Sequence, residues 1–202
     1  MLLVMGKLFI LFLIPFLHIS QDIHYNQIYN SNLDYKGEFK IGFNWFDSLG
    51  KNTLILSGTR PHSDYLDPEQ QYGPIEILES GYIVKNVYAY HYVGNDLIWD
   101  LKEYSDNFIW VDEVSVTDLD DDGISETWIG YDSKEIKVIM HEGKKKYAVR
   151  GYIKSRLDDH GESANDWIYD MYGKDSFEGT PTIFQKKALE LWKSIADMYT
   201  MG

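Results

Sequence analysis

A chain of 202 residues with no cysteine, 32 Asp and Glu against 19 Lys and Arg, and a formal net charge of −13 is not stapled by disulfides and has little to offer a polyanion. Phosphate contacts need clustered Lys and Arg, so nucleic acid and anionic membrane surfaces are excluded as expected partners. The length falls within the range of one domain, and a hydrophobic fraction of 44% can build a proper core without cross-links.

In chain order, the first element is a processing segment. Lys7 gives a short basic start, Leu8 through Leu17 is an unbroken apolar run, and His18-Ile19-Ser20 before Gln21 offers a cleavage site. The run is shorter than the ~20 residues that span a bilayer. Residues 1–20 are therefore expected to be a signal peptide, and the chain to be exported to the periplasm, the cell surface or the medium, with no transmembrane span after cleavage. Residues 21–36 read as a lead segment to a single domain over 37–202.

From there the chain keeps returning to strand-like stretches. Lys36–Phe46 and Thr53–Thr59 flank a turn at Asp47–Asn52, and Tyr82–Val93 is followed through Gly94-Asn95-Asp96 by Leu97–Leu101. Strands near 110–117 and 126–132 come next, then Glu135–Met140 and Lys146–Ile153 joined through Glu142-Gly143. Short turns between strands, without helical crossovers, imply antiparallel pairing. The expected fold is mainly β (α+β): one antiparallel sheet of about seven or eight strands with a C-terminal amphipathic helix packed on it. Residues 154–180 read as a long loop with a short helix around Asn165–Tyr172. In that loop Asp158, Asp159, His160 and Glu162 fit a second metal site, an acid–base group, or plain solvation. Thr180 as N-cap and Pro181 at the first position open a helix over 181–199, whose apolar stripe is Phe184, Ala188, Leu191, Ile195 and Met198.

The strongest chemical signal is Asp118-Leu119-Asp120-Asp121-Asp122-Gly123-Ile124-Ser125-Glu126. Carboxylates at positions 1, 3, 5 and 9 of a curled loop point at one centre, Gly123 permits the sharp turn, and the Ile124 carbonyl adds a main-chain oxygen. Calcium is the expected ion, held by Asp118, Asp120, Asp122, Ile124 and Glu126. An EF-hand is excluded, because its twelfth position would carry Glu where this chain has Ile129, and because the flanks are strand-like. The loop is expected at a β-hairpin tip, and it is similar to the loops of integrin-type FG-GAP repeats. A single copy argues against a propeller.

Other residues suggest a ligand surface. Tyr88, Tyr90 and Tyr92 alternate along one strand and share a face, with Trp99, Trp110 and Trp128 as further members; sugar stacking and cross-strand packing both explain the pattern. No Gly-x-Ser-x-Gly, His-Glu-x-x-His or phosphate loop is present, and 32 acidic residues single out no catalytic pair. Lys144-Lys145-Lys146 reads as a solvated hairpin tip.

Four segments carry a family resemblance: Val87–Val93, Leu97–Leu101, Val116–Glu126, and Lys137–Gly151 with its Met-His-Glu-Gly-x-Lys-x-Tyr-Ala-x-Arg-Gly string. In this order they resemble a family of small exported bacterial proteins labelled surface polysaccharide biosynthesis protein. The resemblance spans roughly Gly37 to Tyr199. Members often carry cysteine pairs that this chain lacks, so no disulfide argument transfers, and no catalytic residue is carried over. The resemblance implies a role in making or displaying cell-surface glycan. His141, Glu142, Tyr147 and Arg150 lie in the family-like string, and with Tyr88, Tyr90, Tyr92 and Trp99 they include the candidate ligand-binding residues. The expected function is a calcium-binding accessory or binding factor for surface polysaccharide. The alternatives are a glycan-active enzyme using paired carboxylates and a structural envelope protein that docks to another protein.

Overall fold

The computed structural model describes residues 21–22, 26–28, 31–59, 81–132, 135–157, 163–171 and 175–198. The expected signal peptide, the acidic group at 158–162 and Tyr199 lie outside the described residues. Among those described, the strands are β1 (Gln21–Asp22), β2 (Asn26–Ile28), β3 (Glu38–Asp47), β4 (Gly50–Thr59), β5 (Gly81–Val93), β6 (Asp96–Asp118), β7 (Glu126–Asp132), β8 (Ile136–Glu142), β9 (Lys145–Leu157) and β10 (Ser163–Asp170), followed by the helix α1 (Thr182–Met198). No described helix is long and apolar enough to cross a membrane.

The pairing is antiparallel throughout and runs from β10 to β2 in reverse sequence order, with β1 added at the end of β6. This meander follows from the turn chemistry: Gly50, Gly94 and Gly143 all have positive φ at the hairpin ends. β6 is the exception to a simple sheet. It is 23 residues long; its first part pairs with β5 as far as Trp110, and its last part pairs with β7 from Phe108 to Thr117. Between Ile109 and Val114 the register against β7 slips, since Tyr131 and Ile129 face them only two residues apart. Such a bulge bends a strand. The expected single sheet of seven or eight strands is therefore corrected to two five-stranded antiparallel sheets that share β6. The stretches 97–101 and 110–117, which read as separate strands, belong to one.

The two sheets face each other across a common interior. Ile41, Phe43 and Trp45 of β3, Leu54 and Leu56 of β4, and Ala89 of β5 pack there with Val114 and Val116 of β6, Ile129 of β7, Ile139 of β8 and Ala148 of β9. The alternation of each strand puts the next residues on the outer faces. On the second sheet that outer face is covered by α1, whose Phe184, Ala188, Leu191, Trp192, Ile195 and Ala196 are buried against Trp128, Val138, Met140 and Val149. Packing of the helix on a sheet is as expected. Its stripe also includes Trp192, whose indole donates to the Ile136 carbonyl at 3.2 Å. Gly151 makes this approach possible, because a Cβ there would lie 2.7 Å from the Trp192 ring and 2.3 Å from the Ile168 carbonyl oxygen.

Two local expectations are corrected. The short helix around Asn165–Tyr172 is instead β10, paired with β9 from Ser163↔Leu157 to Asp170↔Arg150. An open strand edge offers backbone partners that the ends of a two-turn helix lack, and Trp167-Ile168-Tyr169 suits a pleated surface. Thr180 is not the N-cap. Its hydroxyl donates to the Phe177 carbonyl at 2.8 Å, closing the preceding turn, while the Pro181 carbonyl accepts the first helical amides, from Phe184 at 3.0 Å and Gln185 at 3.4 Å.

Candidate metal centre

Residues 119–125 join β6 to β7 at a hairpin end where Thr117 pairs with Glu126. Strand flanks on both sides match the sequence expectation. Gly123 adopts φ +83° and Asp121 φ 57°, the left-handed backbone that a loop of this tightness needs. Within the loop the Gly123 amide donates to Asp118 Oδ2 at 3.1 Å, and the Ile124 amide donates to Asp122 Oδ1 at 2.7 Å.

Asp118, Asp120 and Glu126 bring carboxylate oxygens within 4.8 Å of one another. Glu126 is fully buried. Its Oε2 accepts from the Thr117 hydroxyl at 2.7 Å and the Leu119 amide at 2.9 Å, while Oε1 is buried with no hydrogen-bond partner among the described residues. Asp118 repeats the pattern, with Oδ2 bonded to Gly123 and Oδ1 buried and bare. Unsatisfied buried carboxylate oxygens are costly. Burial is accordingly the largest influence on Glu126, which is pushed up to about 7, and on Asp118 and Asp120, which are also raised; neighbouring carboxylates add to each shift.

A second group shares Asp120: Asp120, Asp122 and Glu142 also lie within 4.8 Å of one another. Glu142 ends β8 directly opposite Glu126 and forms an ion pair with Lys145 at 2.8 Å. Its place beside the loop was not readable from the sequence, where it looked like part of a hairpin turn.

The loop is also held from the first sheet. Asp47, at the end of β3, accepts the Ser125 amide on Oδ2 at 3.1 Å, and the Ser48 amide donates to the Gly123 carbonyl at 2.8 Å. Asp47 accepts further bonds from the Leu49 amide, the Asn52 side chain and the Trp45 indole. Burial alone would push Asp47 up, but the donors from Asn52, Ser125 and Leu49 outweigh it and hold the carboxyl below its usual range.

Behind Asn52 lies a ring stack that bridges the two sheets. His91 Nε2 meets Asn52 Oδ1 at 2.8 Å, and His91 stacks on Trp45 with ring centroids 5.2 Å apart. Trp99 lies 5.6 Å from His91 and stacks on His141 at 3.8 Å and 12°. Burial drives both histidines down, to about 4 for His91 and about 3 for His141.

The remaining candidate ligand residues are dispersed. Tyr88, Tyr90 and Tyr92 share a face, as alternation requires, but they are buried with Ile55 beneath Leu33 and Tyr35. The Tyr90 hydroxyl accepts the Lys36 amide at 3.1 Å, and the Tyr92 hydroxyl donates to the Asp34 carbonyl. Of the two readings of this stripe, the described structure matches packing: residues 31–36 cover the rings that would stack on sugar. Trp128 is core, donating to the Thr117 hydroxyl at 2.8 Å, and the Trp110 side chain lies outside the described residues. Arg150 faces Lys137, whereas His141 faces Lys146, four residues along the ladder and so roughly 13 Å away. His141 and Trp99 are thus brought together, and Arg150 is not.

Comparison of the chain with protein-family models, with curated proteins and with solved structures found no match.

Proposed function

We propose that residues 118–126 hold a calcium ion, and that the ion fastens one end of an exported module that serves cell-surface polysaccharide as a binding or accessory factor. The observation that carries the calcium reading is the pair of bare, buried oxygens, Glu126 Oε1 and Asp118 Oδ1, in a group of carboxylates within 4.8 Å of one another. A hard cation answers both the missing partners and the like-charge repulsion. Several carboxylates plus a main-chain carbonyl suit calcium, which takes six to eight oxygens, better than the stricter octahedron of magnesium. In this reading Asp118, Asp120, Asp122, Glu126 and the Ile124 carbonyl are the ligands, and Glu142 adds negative charge beside them. The polysaccharide role is supported by the resemblance of the four segments that include this loop and the Met140-His141-Glu142-Gly143 turn.

A melting experiment in calcium and in chelator tests the reading. An ion bound only to the folded state at ten times its Kd adds about 1.4 kcal/mol. For a chain of this size that raises Tm by about 3 to 6 °C. Asp118→Asn and Asp122→Asn should erase the difference; if they melt with the same calcium shift as the parent, the loop is not the site. A glycan-array screen, run in calcium and in chelator, tests the polysaccharide role: saturable binding is expected, and its absence in both conditions would remove that role.

A further inference from the structure

We infer that Asp47 and the β3–β4 turn, some 70 residues before the loop, set its binding shape by aiming the Ile124 carbonyl; Asp47 is a positioning residue for the cation site. The inference rests on the calcium reading and adds a part that the loop itself does not contain. The loop's internal bonds, Gly123 to Asp118 and Ile124 to Asp122, curl it but tie it to nothing else. The outside grip falls on the two peptide groups around Ile124. The Gly123 carbonyl is taken by the Ser48 amide at 2.8 Å, which withdraws it from coordination. The Ser125 amide is taken by Asp47 Oδ2 at 3.1 Å.

That second bond decides a direction. The Ser125 N–H and the Ile124 C=O belong to one planar trans peptide, so they point to opposite sides. Anchoring the N–H on Asp47 turns the Ile124 oxygen away from the β3–β4 turn and stops the peptide from flipping. A hydrogen bond from the N–H to a carboxylate also polarises the peptide and makes its carbonyl oxygen a stronger donor to a cation. Asp47 can act this way because it is itself immobilised: the Leu49 amide and the Asn52 side chain hold Oδ1, each at 2.8 Å, and Asn52 is locked in turn against His91. An outer layer of hydrogen bonds of this kind orients ligands in metal sites generally, and its loss typically weakens metal binding about 10- to 100-fold.

The test is a calcium titration of the parent chain, Asp47→Asn and Asp47→Ala, followed by calorimetry and by the carbonyl ¹³C shift of Ile124, with melting in chelator as a control. Asp47→Ala should raise the calcium Kd by roughly 10- to 100-fold and shrink the Ile124 carbonyl shift, with Asp47→Asn falling between it and the parent. Asp47→Asn is nearly isosteric, so it keeps the test open if the alanine variant does not fold. Parent-like Kd and an unchanged Ile124 shift in Asp47→Asn and any folded Asp47→Ala would overturn the inference, whatever happens to the chelator melting temperature. A parent chain that binds no calcium is a separate result and removes the calcium reading beneath it.

Discussion

Glu126 resists ionising, because one of its oxygens is bonded twice and the other is buried and bare. Its pKa rises from 4.5 to about 7, with burial as the main cause. The folded state then holds the proton more tightly than the unfolded state does, so without calcium this group removes stability as pH climbs from about 4.5 to about 7. Glu126→Gln should therefore melt higher than the parent in chelator at pH 8, yet lose calcium affinity by on the order of a hundredfold or more. A variant that melts lower in chelator, or that keeps its calcium affinity, contradicts this account of the residue. His91 works in the opposite sense. Burial lowers it from 6.5 to about 4, against a smaller upward pull from Asp47. The unfolded chain takes up the proton first, so the contribution is intact above about 6.5 and is lost as pH falls towards 4, by up to roughly 3 kcal/mol. Denaturant titrations in saturating calcium should show a shallower acid loss for His91→Gln than for the parent, and parallel profiles would show that His91 is not buried neutral.

At the scale of elements, the docking of α1 depends on one glycine. Gly151→Ala would drive a methyl into the Ile168 carbonyl and the Trp192 ring, and the backbone oxygen cannot swing aside as a side-chain tip can. A loss of roughly 1 to 3 kcal/mol is expected from chemical denaturation, and Trp192→Ala should cost about 3 to 5 kcal/mol. A neutral Gly151→Ala would mean that the helix does not pack there as described. Most strands were legible in the sequence because alternation and turn residues are local signals: β3, β4, β5, β7, β8 and β9 stand within a few residues of their expected bounds. What failed depends on distant partners. Pairing of residues 102–110 with β5 makes one strand of two apparent ones, and the bulge between Ile109 and Val114 shows only in the register against β7. β10 exists because β9 offers an edge, and its own residues carry no clear period. The tyrosine stripe left stacking and packing both open, because nothing in residues 31–36 marks them as its cover.

At the scale of the molecule, the candidate centre joins three parts that are far apart in the chain. The loop supplies the carboxylates, β8 brings Glu142 opposite Glu126, and the β3–β4 turn grips Gly123 and Ser125. The loop was legible from its spacing alone, whereas Glu142 and Asp47 were not, since antiparallel pairing and sheet-to-sheet contact put them there. The shared strand β6 runs from the first sheet into the loop, so an ion bound there would tie together the end at which both sheets meet. The most direct measurement is an amide NMR titration of the chain with calcium. One saturable transition is expected, with the largest shifts at residues 118–126 and smaller ones at Ser48, Leu49 and Glu142. The absence of any shift up to about 10 mM calcium, an order of magnitude above the weakest affinities of extracellular modules, or shifts centred elsewhere, would contradict it.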